Sequence, residues 1–457
     1  MLDKWFALSE RNTSVKTEVM AGITTFITMA YILFVAPGVL SAAGMDKNAV
    51  FIATCLGGGL VTIAMGALVN YPICLAPGVG LLAFYAYTVC IGMQVPWQTA
   101  LGAVFISGIV FIILTVTHVR QMIIEGIPNS LKSAITVGIG LFICIIGLKM
   151  SGLMAVNLAL GPDVLDAVVN AGGHYTTGAN DTVFALGSMA KGEHLLTIFG
   201  LFFTALLMAK KVPGSILIGI LVTTVLSYVF GISHMPENFT PFHMPDFSNN
   251  NFLALDIAGA VHMGLVTIVM TFTFVELFDS MGTLVGTATK AGLVNPKTGD
   301  FPGMGKALTV DAVGVSFGSL LGASTITAFV ESAAGVGAGG RTGLTAVTCG
   351  ILFLLSLFLA PVMGLIPGAA TAQALILVGA LMLEGVRDID FSDFTEVFPA
   401  FLTIVLMPFT YSIANGICGG FVAYALLKLA VGEGKKVHPI VYVLAVLIII
   451  RFVFLGD

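Results

Sequence analysis

STITAFVESAAGVGAGG, residues 324–340, decides the fold. The stretch lies among apolar segments, yet hydroxyls, one carboxylate and closely spaced glycines interrupt it too often for one continuous helix. Backbone that leaves the helix at membrane depth is tolerated only where protein or a cavity takes up the freed N–H and C=O groups. A second interrupted segment, CLAPGVG at 74–80, lies in the first half of the chain. Two such breaks at matching places in two halves of an apolar chain point to the binding site of a transporter.

The rest of the chain fits a membrane setting. Of its 457 residues, 57% are hydrophobic and only 9% charged, whereas soluble domains carry about a quarter charged residues. Residues 48–119, 342–383 and 397–427 contain no Asp, Glu, Lys or Arg, and a membrane-crossing helix needs about 20 such apolar residues. A soluble core is thereby excluded. The net charge of −5 lies mostly in loops and forms no basic stripe, so nucleic acid is not an expected partner. Cys55, Cys74, Cys90, Cys144, Cys349 and Cys418 sit in apolar stretches without paired or metal-ligand spacing and read as small buried hydrophobes. His118 and His262 lack clustered spacing, and His174, His194, His234 and His243 fall in expected external loops. No metal or cofactor is expected. The chain has no GxSxG, no phosphate-binding glycine loop and no Cys/His cluster, which argues against an enzyme and against ATP-driven transport.

Breaking the apolar tracts at Gly, Pro and charge clusters predicts spans at 19–40, 49–69, 73–92, 98–117, 131–150, 195–210 and 213–231. A second set follows at 256–287, 307–322, 325–338, 342–361, 367–385, 394–411 and 413–431. With the N-terminus inside, alternation across fourteen spans puts fifteen Lys and Arg residues on the cytoplasmic side, Arg120, Arg341 and Lys428 among them. Three, Lys47, Lys149 and Lys191, fall outside. That bias is the one expected of a multi-pass protein of the cell (inner or plasma) membrane. Seven is odd, so a second set repeating the first must be inverted. The fold class expected is therefore an all-α polytopic membrane protein of fourteen segments in two inverted seven-span repeats, broken at spans three and ten. Gly57, Gly58 and Gly59 are read as close helix packing. Residues 1–18 form an amphipathic interfacial segment without the apolar core of a secretory signal. Residues 437–457 form a C-terminal apolar segment, either an interfacial helix or a further partial span.

Charged side chains at span depth are costly and usually face a cavity. In TFTFVELFDSMGTLVG, residues 271–286, Glu276 and Asp279 stand three apart and share a helix face. Like charges in a low-dielectric site favour holding a proton near neutral pH. Glu331 lies in the tenth span where an extended stretch is expected to turn into a half-helix, leaving the backbone of Thr327, Ala328, Phe329 and Val330 open to a flat ligand with alternating donors and acceptors. These three acids are the candidate groups for substrate and proton. Lys and Arg are nearly absent at the same depth. Asp311 and Asp256 are read as caps or first-turn acids, and Glu384 with Arg387 as a surface pair. Phe84, Tyr85 and Tyr87 are candidates for packing or for stacking on a planar substrate.

GITTFITMAYILFVAPGVL, NYPICLAPGVG, FVELFDSMGTLVG, FVESAAGVGAGGRTGLTAV and FPAFLTIVLMPFTYSIANGI, in that order, resemble the nucleobase:cation symporter-2 family over essentially the whole chain. The likeness is to its purine branch, the AzgA-like permeases of adenine, guanine and hypoxanthine. The resemblance implies a uracil-permease-like fold with a core domain (19–117 and 256–361) and a gate domain (131–231 and 367–431). It also implies a homodimer and elevator-like movement of the core coupled to H+. It assigns substrate binding to Glu331, Asp279, Glu276, Phe329, Val330 and Leu82, and proton coupling to Glu276, Asp279 and Glu331. Leu82 stands where the purine branch commonly carries Asn. Transport of another nucleobase, such as uracil or xanthine, or anion exchange on the same architecture are the alternative readings.

Overall fold

The computed structural model describes residues 2–117, 119–156, 184–235, 245, 247, 251–262, 266–293 and 303–454. His118, His174 and His243 lie outside these residues. A short helix, α1 (Leu2–Phe6), precedes the first span, which is not one rod but two pieces, α2 (Val15–Met29) and α3 (Ile32–Ser41), parted at Ala30–Tyr31. Ser14 caps α2 by accepting from the Thr17 N–H, and Pro37 lies inside α3. Then come α4 (Lys47–Ala64), the strand β1 (Leu75–Pro77), α5 (Val79–Ala83), which runs on as a wider turn to Gly92, and α6 (Trp97–Val116). A connector, α7 (Val119–Gly126), leads to α8 (Asn129–Met150), the ladder β2 (Met154–Val156) with β3 (Phe184–Leu186), α9 (Gly192–Ala209) and α10 (Ser215–Val229).

The second half repeats this order. It runs through α11 (Ile257–His262), α12 (Val266–Lys290), α13 (Met304–Leu321), β4 (Ile326–Ala328), α14 (Ser332–Gly337), α15 (Gly343–Leu355), α16 (Ala360–Met363), α17 (Gly368–Met382), α18 (Phe394–Phe409) and α19 (Ile413–Ala430). The eighth span thus starts later than 256, because Asp256 caps the separate helix α11 through the Gly259 N–H at 2.8 Å. The C-terminal segment is helical, α20 (Pro439–Phe454), and packs on α19 and α7. Among the described residues, nine helical stretches are long and apolar enough to cross a membrane; the other segments are shorter, or broken as the sequence requires.

Small residues let the helices meet backbone to backbone. A Cβ added at Gly350 of α15 would stand 2.6 Å from the Gly59 carbonyl of α4, closer than any side chain allows. The sequence reading of Gly59 as a packing glycine therefore holds. Lys428, counted on the cytoplasmic side, is only 4% exposed. Asp393, Glu396 and Glu433 each approach its Nζ at 3.2 Å. Three carboxylates offset the desolvation of one ammonium and tie α18, α19 and the turn after it.

The two broken spans meet at the centre. β1 and β4 pair antiparallel, Leu75 opposite Ala328, Ala76 opposite Thr327 and Pro77 opposite Ile326. Segments equivalent under an inverted repeat must run in opposite directions, and the antiparallel register is the local expression of that inversion. The bonds continue past the strands: Phe329 N–H donates to the Cys74 carbonyl at 2.9 Å and Gly78 N–H to the Thr325 carbonyl at 3.3 Å. Groups facing away from the ladder find side chains instead. Leu75 N–H donates to the Thr62 hydroxyl at 2.8 Å, Cys74 N–H to Ser332 Oγ at 3.0 Å, and Ala328 N–H to Asp311 Oδ1 at 3.2 Å. Extended backbone is affordable at this depth because nearly all of it is paired.

Candidate functional site

The crossing of β1 and β4 brings α12, α13 and α3 around one small volume. A Cβ on Gly78, at the end of β1, would stand 2.9 Å from Thr327 Cγ2 and 3.8 Å from Asp279 Oδ2. No side chain fits there, so β1, β4 and α12 are drawn together. Asp279 and Glu331 are partly exposed, whereas Glu276 is buried. Glu331, directly before α14, accepts from Tyr31 Oη at 2.6 Å. Tyr31 lies at the gap between α2 and α3, and its ring is fully buried. Asp279 has no hydrogen-bond or ion-pair partner among the described residues, so its carboxylate is the one held open. Glu276 accepts from Ser280 Oγ at 3.2 Å through Oε1, while Oε2 is buried without a partner. Ser280 Oγ also bonds Thr327 Oγ1 at 2.9 Å, which ties α12 to β4.

Glu276, Asp279 and Glu331, called from the sequence, thus gather at one crossing. Several neighbours differ from the sequence expectation. Asp311 is no cap: it is the eighth residue of α13 and fully buried, accepting from Thr327 Oγ1 at 3.3 Å and from Ala328 N–H. A cation does lie at this depth, because Arg120 Nη2 stands 3.5 Å from Asp311 Oδ2 with both side chains buried. The open edge expected at 327–330 is mostly taken: Thr327 pairs with Ala76, Ala328 with Asp311 and Phe329 with Cys74. Val330, 63% exposed, is what remains. The Phe329 side chain and Leu82 are both buried. Phe84 packs edge-on against Phe272 at 5.0 Å and Tyr85 donates to the Trp97 carbonyl at 2.6 Å, so both serve packing. Glu384 and Arg387 form an exposed pair at 3.6 Å, as read. Among the described residues no group of His, Cys, Asp or Glu is arranged to hold a metal.

Sequence reasoning missed Tyr31, Ser280, Arg120 and the true place of Asp311. Ser280 carried a usable signal, since it follows Glu276 by four and shares its helix face. Arg120 carried none, because a cation at the end of a span reads as an interfacial anchor.

Two half-buried acids at the crossing of two interrupted, inverted spans define a membrane permease rather than an enzyme. A model of the permease family matches residues 16–166 and 163–419. The chain belongs to that family, the nucleobase:cation symporter-2 permeases. It is 41% identical over 457 residues to the adenine permease AdeP of Escherichia coli, covering 100% of this chain and 96% of that one. It is 40% identical over 463 residues to the guanine/hypoxanthine permease PbuG of Bacillus subtilis, covering 99% of each. Among solved structures, the transmembrane domain of a cyanobacterial bicarbonate transporter, BicA, matches with TM-score 0.61 at 15% identity, covering 88% of this chain and 97% of that one. At that identity the likeness concerns the fold alone.

Proposed function

We propose that this chain imports purine nucleobases such as adenine, guanine or hypoxanthine as a proton-coupled secondary transporter. The observation that carries the reading is the placement of Glu331 and Asp279, two partly exposed carboxylates flanking the strand crossing. Each accepts N–H donors, and a purine presents such donors along its edge; the exposed Val330 adds a further contact. Relatives named for adenine and for guanine/hypoxanthine support a purine over a pyrimidine. Carboxylates also disfavour an anion as substrate, although an anion transporter shares the fold. Protonation of an acid in the cluster lowers the cost of moving the loaded site through lipid.

Movement is assigned to a core unit, 19–117 with 256–361, against a gate unit, 131–231 with 367–431. Packing supports the division: α13 lies on α6, and α15 on α2 and α4, whereas α8 lies on α17 and α18. The core then travels as an elevator with the strand crossing inside it. The N-terminus is cytoplasmic by the distribution of Lys and Arg, and a homodimer forms through the gate. The test is uptake of labelled adenine, guanine and hypoxanthine into proteoliposomes, with and without an inward proton gradient. Gradient-stimulated uptake of at least one base, abolished in Glu331→Gln, is expected. Unaltered uptake by that variant, or uptake of none of the three, refutes the reading.

A further inference from the structure

The buried ion pair of Arg120 with Asp311 on α13 has no part in holding the base. Arg120, on the connector α7, is 1% exposed and lies over the Phe111 ring at 4.2 Å. Its Nη2 meets Asp311 at 3.5 Å and its Nη1 donates to the Leu308 carbonyl at 3.5 Å, while Nε has no partner. Asp311 in turn holds a group of β4 that faces away from β1, the Ala328 N–H, together with the Thr327 hydroxyl. A chain of contacts therefore runs from connector to strand crossing. The other charged groups near the pair are Glu276 and Asp279 from α12, and beyond them at the crossing stand Glu331 before α14 and Tyr31 beside α3. The stretch 48–119, which supplies β1, α5, α6 and all of α4 after Lys47, carries no charged residue, and α8 carries only Lys132 and Lys149 near its ends.

We propose that Arg120 is a positioning residue of the transport site: by neutralising Asp311 it fixes the β4 backbone and confines the exchangeable proton to Glu276, Asp279 and Glu331. The physical reason is that an aspartate with no water and no cation is tolerated only when protonated. With Arg120 in place, the Asp311 carboxylate has a cation beside it and accepts both hydrogen bonds. Without it, Asp311 must take a proton of its own, and its loss would release a bare charge beneath Thr327 and Ala328.

The inference rests on the proton-coupled reading and is tested on the full chain. Uptake into proteoliposomes is measured against pH, using whichever of adenine, guanine and hypoxanthine the wild type carries. Arg120→Gln is expected to work at acid pH and fail as the pH rises, its alkaline limb displaced downward by at least one pH unit, about a tenfold change in the proton concentration required. Arg120→Lys should keep the wild-type profile, and Arg120→Gln/Asp311→Asn should restore its shape, because Asn still accepts from Ala328. A profile for Arg120→Gln parallel to the wild type, or no restoration in the double variant, overturns the inference. If Arg120→Gln does not assemble, assembly of the double variant with a wild-type profile supports the same conclusion, and failure of both refutes it. A wild type indifferent to pH would instead sink the proton-coupled reading itself.

Discussion

Tyr31→Phe removes one hydroxyl from the site and leaves the ring in place. Tyr31 is 1% exposed, and among the described residues its hydroxyl donates to Glu331 at 2.6 Å. A hydrogen bond to a charged group is worth about 1.5–3 kcal/mol net. Glu331 is partly exposed, and water replaces some of what is lost. The lower end, about 1.5 kcal/mol, is then appropriate, which corresponds to about tenfold in apparent affinity. The assay is the KM for base uptake in proteoliposomes. KM should rise about tenfold with little change in the maximal rate, because the carboxylate is no longer aimed but remains present. Equilibrium binding of base by the double variant Tyr31→Phe/Glu331→Gln, read in place of uptake because Glu331→Gln abolishes transport, should be no weaker than binding by Glu331→Gln alone, since both act through one contact. A KM within about twofold of the wild type, or additive effects in the double variant, would refute the argument that Tyr31 orients Glu331.

Packing and pH make further tests. Gly350→Val places a branched side chain where even a Cβ lies 2.6 Å from the Gly59 carbonyl, so α4 and α15 must separate. Overpacking of this kind costs about 1–3 kcal/mol, and the melting temperature in detergent should fall; Gly368→Ala, with nothing within 4 Å of the added Cβ, should leave it unchanged. Asp393, the N-cap of α18, accepts from the Thr395 side chain and N–H, and these bonds hold its carboxyl down to about 2 from the ordinary 3.8. A lowered value means stability present above the ordinary range and lost as the pH falls through about 2. Asp393→Asn should therefore melt below the wild type at pH 5 to 7, with the gap closing between about pH 4 and 2; a constant gap would exclude the titration. Asp279→Asn leaves an uncharged acceptor where the open carboxylate stood, and uptake should lose its response to the proton gradient while some binding of base persists. Full gradient response in that variant would exclude Asp279 from coupling.

Much of the site was legible because its signals are local. The carboxylates stand out where 9% of residues are charged, and the Gly- and Ser-rich breaks cannot hide inside a regular helix. The i,i+3 spacing of Glu276 and Asp279 put them on one face without further information. Asp311 shows the limit of such reasoning. Counting from a predicted span start made it a cap, but α13 begins at Met304, and the boundary decides whether an acid is solvated or buried. The free backbone edge at 327–330 failed for a related reason: Ala328 N–H is taken by Asp311, 17 residues back on α13, and Phe329 N–H by Cys74, just before β1 and far away in the chain.

By itself the sequence determined that this is a multi-pass membrane protein of two inverted halves, with three acids and two broken spans, since hydropathy, charge and glycine spacing are properties of short windows. The tertiary structure alone decided which of those features touch. It joined Leu75–Pro77 to Ile326–Ala328, Tyr31 to Glu331 across 300 residues, and Arg120 to Asp311 across 191. Contacts at such separations leave no periodicity in sequence; they follow from the need to pair every buried N–H, C=O and charge in a space without water.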